Sequence, residues 1–121
     1  MKGAQFIRHD GVEMLWIDFS HVATLDEIVR IMEEAKTLLM TRAPGSVLTL
    51  TDTTGTHFDG AINQAFKEYA AHNTPYVKAA ALVGITPIRK IIYNAVAFFS
   101  GRHLELCDDI ESAKAWLVRQ R

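Results

Sequence analysis

The sequence predicts an α/β fold: a small mixed, mostly parallel sheet flanked by helices, in the order β-β-α-β-α-β-α-β-α. Three observations carry this prediction. Asp10-Gly11 stands between two apolar extended runs, a hairpin signal because a type I′ turn needs positive φ at both central positions. Further on, strand-like runs alternate with segments of helical periodicity, so successive strands require right-handed crossovers and lie parallel. Ala79 to Gly84 is a continuous apolar run, as expected of a strand buried on both faces of a parallel sheet.

The opening hairpin is formed by Phe6 to His9 and Val12 to Phe19. In its second strand Leu15, Ile17 and Phe19 share one face and Met14 and Trp16 the other, so both faces are apolar and the strand is central. Thr24-Leu25-Asp26-Glu27 is a capping box, with Thr24 as N-cap and Glu27 reaching back to it. Ile28, Ile31, Met32, Ala35, Leu38 and Leu39 follow at helical spacing, and Ala43-Pro44-Gly45 ends the first helix. Val47 to Asp52 is the next strand, and a loop rich in threonine and glycine follows it. Asp59-Gly60 opens a second helix with Ile62, Ala65, Phe66, Tyr69 and Ala70 on its inner face. After the Ala79–Gly84 strand, Thr86-Pro87 caps and starts a third helix whose buried stripe is Ile88, Ile91, Ile92, Ala95, Val96 and Phe99. His103 to Cys107 is a last short strand, and Asp108-Asp109-Ile110-Glu111 starts a final helix burying Ile110, Ala113, Trp116 and Leu117.

A length of 121 residues fits one domain spanning 1–121, large enough to bury its own core. Hydrophobic residues at 49% and charged residues at 22% exclude a disordered or fibrous chain. Lys plus Arg number 13 against 14 Asp plus Glu, a formal charge of -1, so the totals carry no footprint of general nucleic-acid binding. The lone Cys107 excludes an intramolecular disulfide and any multi-cysteine metal site, and its apolar neighbours make it a small core residue. No apolar run follows the first residues, so no secretory signal is expected. The longest uncharged stretch, Ile91 to Gly101, is far short of the roughly 20 residues of a membrane span. The expected address is the cytoplasm, with at most peripheral membrane contact.

No residue set spells out a reaction. The histidines are His9, His21, His57, His72 and His103, none at ligand spacing from another on a helix, so they read as solvated or cap residues and no metal or other cofactor is expected. The strand-to-helix turns Thr54-Gly55-Thr56 and Gly84-Ile85-Thr86 lack the serine a hydrolase would place there. No phosphate-cradling glycine loop with its lysine occurs, and no dinucleotide fingerprint follows the first strand. Asp52 ends a strand like a receiver-domain phospho-acceptor, but Phe19-Ser20-His21 and Cys107-Asp108 stand where the acidic pair and the lysine would be needed. Two hints remain. The loop from Asp52 to Asp59 is long and hydroxyl-rich for a turn. Arg89 and Lys90 sit in the first turn of the third helix, where the dipole disfavours cations, which suggests an anion or an acidic partner.

The order of elements, the run Val47-Leu48-Thr49-Leu50 into a loop ending Phe58-Asp59-Gly60, and the closing patterns Ala81-Leu82-Val83-Gly84 and Ala113-Lys114-Ala115-Trp116-Leu117 resemble the STAS fold. More narrowly they resemble the SpoIIAA-like group of small bacterial STAS proteins, across nearly the whole chain. In anti-sigma-factor antagonists of this fold a serine after an aspartate at the start of the second helix is phosphorylated to switch partners. Asp59 matches that aspartate, but Gly60 and Ala61 follow it, so only a threonine of the loop (Thr53, Thr54 or Thr56) is left to take the phosphate. The SpoIIAA-like group itself resembles lipid-carrying CRAL-TRIO domains, which implies a non-enzymatic homodimer holding an apolar ligand or approaching membranes.

The leading expectation is thus a non-catalytic, homodimeric binding or regulatory module whose partner is an apolar small molecule or a protein. Its site comprises Thr54, Thr56, His57, Asp59 and Gly60 of the loop with Thr86, Arg89 and Lys90 of the third helix. The rivals are a phospho-regulated partner-switching protein and a small enzyme pairing His57 with Asp59.

Overall fold

The computed structural model describes residues 2–84 and 104–121. Its elements are β1 (Ala4–His9), β2 (Val12–Asp18), α1 (Leu25–Leu39), β3 (Val47–Asp52), α2 (Gly60–Asn73), β4 (Val77–Val83), β5 (Leu104–Cys107) and α3 (Ile110–Val118). The helix expected from Thr86 to Phe99, with Thr86, Arg89 and Lys90, lies outside the described residues, as does His103.

Asp10 and Gly11 turn the chain with φ of +50° and +75°, the positive pair a type I′ turn demands, and β1 pairs antiparallel with β2 from Ala4↔Ile17 to His9↔Val12. The remaining neighbours are parallel, and the five strands lie in the order β1-β2-β3-β4-β5. β2 is an interior strand between β1 and β3, and its alternation splits the core in two. Leu15, Ile17 and Phe19 face α1 and α2, where Ile28, Ile31, Ala35, Leu39, Ile62 and Tyr69 complete the first cluster. Met14 faces the other way, with Leu48, Leu50, Ala79 and Ala81, under Ala113 and Leu117 of α3. Phe19 anchors the first cluster through edge-on contacts with Phe66 at 5.0 Å and Tyr69 at 6.2 Å between ring centroids.

Half of the expected capping box forms. Thr24 Oγ1 accepts from the Glu27 amide at 3.3 Å, but the Glu27 carboxylate does not reach back to Thr24 and instead accepts from Arg30 at 3.0 Å. An arginine one turn on is a charged donor, and it outbids a neutral amide for the carboxylate. β4 begins at Val77, two residues earlier than the apolar run implies. A register shift lets Val77 pair with Val47 and Ala79 with Leu48, so the exposed Lys78 is skipped without ending the strand. Trp116 and Ile110 are half-buried at the flank of α3 rather than fully inside. Cys107 packs against the second cluster, and burial, followed by the nearby Glu105 and Asp108 charges, pushes its thiol pKa up. No helix among the described residues is long and apolar enough to cross a membrane.

Candidate functional site

The loop joining β3 to α2 lies at the carboxyl ends of the parallel strands, the edge where open α/β sheets place their sites. Its construction begins with Asp52. The Asp52 carboxylate accepts from the Thr54 amide at 2.9 Å, which turns the chain as soon as β3 ends and commits Asp52 to the turn. Thr53, 2% exposed, donates both its amide (2.8 Å) and its hydroxyl (2.9 Å) to the Val83 carbonyl and so ties the loop to the end of β4. Thr56 is wholly buried, and its hydroxyl donates to the Phe19 carbonyl at 2.8 Å. The His21 amide donates to the Thr54 carbonyl at 2.8 Å and the His57 amide to the Val22 carbonyl at 3.0 Å. The loop is thereby sewn to β4 on one side and to the β2–α1 connection on the other.

Two glycines permit this closeness. Gly55, at φ +66°, lies so near the His21 ring that a Cβ would overlap it, and His21 itself adopts φ +60°. Gly84, at φ +90°, would place a Cβ 2.5 Å from the Thr54 nitrogen.

This geometry divides the threonines of the loop. Thr56, expected as a binding or phosphorylation residue, is a buried structural tie, and Thr53 is one as well; Thr54 is exposed. A single sequence does not reveal which hydroxyl finds a backbone carbonyl, because the carbonyls that receive them belong to Phe19 and Val83, some 30 or more residues away in the chain. His57 and Asp59 do come together, Nε2 to Oδ2 at 3.4 Å with side chains 56% and 51% exposed. Asp59 is also the N-cap of α2, its other oxygen accepting from the Ile62 amide at 2.9 Å, and Gly60 is the first residue of that helix. Phe58 turns beneath, its ring 5.3 Å from Phe66. The loop therefore presents a rim of Thr54, His57 and Asp59 over an aromatic base.

A second cluster escaped the sequence reading. Ser20 Oγ donates to Asp18 Oδ1 at 2.6 Å and accepts from Lys2 Nζ at 2.7 Å, while Lys2 stands 3.5 Å from Asp18 Oδ2. A cleft of about 210 Å³ lies alongside, bordered by Lys2, Trp16, Asp18 and Glu34. Ser20 is 7% exposed, and its amide also donates to Asp18 at 2.9 Å. With its proton on Asp18 and its oxygen facing an ammonium, this serine caps a strand end. The same stretch is held by Asp18 N–H to the Gly3 carbonyl at 2.8 Å and by the Ala4 amide to Glu34 at 2.7 Å. The Asp18-x-Ser20 spacing was the available signal; Lys2 is too far along the chain to be paired with it from sequence.

Of the other histidines, His9 lies 3.7 Å from Asp10, and the ring of His72 stacks on Tyr76 with its Nδ1 3.0 Å from Asn73 Oδ1.

The strand order, the one antiparallel pair at the β1 edge and the two-sided burial define a mixed α/β protein of SpoIIAA-like fold. The chain is similar to the crystal structure of an uncharacterized protein of the DUF3478 family with a SpoIIAA-like fold from Shewanella loihica PV-4, with a TM-score of 0.74 over 97% of this chain and 95% of that one, at 14% identity. No protein-family model and no curated protein matches the chain.

Proposed function

We propose that this protein is a non-catalytic binding or regulatory module of the SpoIIAA-like type, acting as a homodimer and recognising a partner through the carboxyl-edge rim of Thr54, His57 and Asp59 together with the start of the helix expected at Thr86, Arg89 and Lys90. The supporting observation is that the loop's buried hydroxyls are spent on the Phe19 and Val83 carbonyls. What faces outward is a preformed surface with one imidazole–carboxylate pair, in which the carboxylate already caps a helix. Such a surface suits recognition by shape and charge, at low ordering entropy.

Native mass spectrometry of freshly purified protein tests it. The expected spectrum shows a dimer, with a retained small molecule or a copurified partner. Folded protein that is strictly monomeric and carries nothing contradicts it.

One observation favours the partner-switching alternative: Thr54, unlike Thr53 and Thr56, is exposed. Phosphate mapped to Thr54 in protein isolated from its own cells supports that alternative, and phosphate absent from the loop opposes it.

A further inference from the structure

α3 sits chiefly over β3, β4 and β5 and reaches β2 at the buried Met14, so the β1–β2 half of that sheet face is covered less fully. Ile7 of β1 and Trp16 of β2 point to this half and remain half-buried. Across from them, Ile110 and Lys114 stand one turn apart on the flank of α3. Together with Gln5 these residues line a cleft of about 200 Å³, on the sheet face opposite α1 and α2.

We propose that this cleft binds a small aromatic carboxylate. Three features point to that class. First, Ile7, Trp16 and Ile110 supply an apolar wall, and the largest lining group is an indole, whose π-face favours offset or edge-on contact with a second ring. Second, Lys114 is the sole charged residue lining the cleft among the described residues. Its Nζ is 3.9 Å from a Glu111 carboxylate that is 79% exposed, a pair loose enough for a bound anion to replace. The Gln5 amide offers a further donor at the rim. Third, the volume lies below the roughly 300–1,000 Å³ of drug-sized pockets, which admits a single ring with a short acid arm and leaves a long acyl chain outside. The site does not depend on the rim at the carboxyl edge, and it stands or falls separately.

Titration of the full chain with trans-cinnamate, followed by the Trp16 indole N–H resonance in 1H–15N spectra, tests the assignment. The expected result is a saturable shift of Trp16 with little change at Trp116. Neutral cinnamamide and aliphatic octanoate should each bind at least tenfold more weakly, about 1.4 kcal/mol per tenfold. Lys114→Met, at a surface position, should retain the native spectrum and lose at least tenfold in cinnamate affinity. No saturable shift with cinnamate overturns the proposal. Equal binding of cinnamamide overturns the role of charge, and equal binding of octanoate overturns the aromatic preference; both comparisons are made on unaltered protein, so they hold even if the variant does not fold.

Discussion

Thr56 carries more of the fold than its exposed neighbour Thr54, although both belong to the same hydroxyl-rich loop. Thr56 Oγ1 donates to the Phe19 carbonyl from a fully buried position, and the same carbonyl accepts the Val22 amide at 3.1 Å. Replacing Thr56 by valine keeps its shape and removes one buried hydrogen bond, so the expected loss in unfolding free energy is about 1 kcal/mol. Thr54→Val should stay within about 0.5 kcal/mol, as surface substitutions do. Urea denaturation of the two variants measures this, and equal effects would contradict the assignment of Thr56 as a structural tie. At this scale the sequence was only partly legible. The helix starts at Thr24, Asp59 and Asp108-Asp109 could be read because the capping partners lie three residues along the chain. The roles of Thr53, Thr56 and Ser20 could not, because they are set by groups that only the folded chain brings near.

Elements are joined as much by charged contacts at their ends as by the core between them. Arg42, just past α1, makes a two-pronged contact with Glu13 of β2 at 2.9 and 3.1 Å and places its guanidinium 3.9 Å from the Phe6 ring centroid, so the first hairpin is strapped to the end of α1. The Arg42 hydrogen bond holds the Glu13 carboxyl below the usual carboxylate range. A carboxylate whose pKa is lower folded than unfolded contributes its stability above the unfolded value, about 4.3 for glutamate, and loses it as the pH falls through the folded value. Unfolding midpoints should therefore decline on acidification from about pH 5 downward, and less steeply in Glu13→Gln. Superimposable pH profiles would show that the strap contributes nothing. Asp109, lowered mainly by the Ser112 amide it accepts, adds to the same acid limb in both proteins. Element types were readable from periodicity, since β3 runs from Val47 to Asp52 as expected and Asp10-Gly11 turns as expected. Boundaries drifted where tertiary pairing overrode local pattern. Val77 entered β4 past a skipped Lys78, and Ala4 extended β1 because Ile17 was there to pair with it.

For the molecule as a whole, one sheet divides two clusters, and the loop at its carboxyl edge is tied to the end of β4 and to the β2–α1 connection. The alternation along β2 was enough to foresee the two-faced core, because a strand apolar on both faces has to be covered twice. The candidate site was legible as a location and not as a set of roles: the loop was found, while its division into buried ties and an exposed rim depends on contacts with Phe19, Val22 and Val83. The preformed rim requires a rigid loop, in which Thr54 is exposed while Thr53 and Thr56 are held inside. Native-state amide hydrogen exchange tests this rigidity most directly. The Thr53 and His57 amides, which donate to Val83 and Val22, should open only with free energies close to that of global unfolding. Exchange of these amides near the rate of an unstructured peptide would contradict the preformed surface.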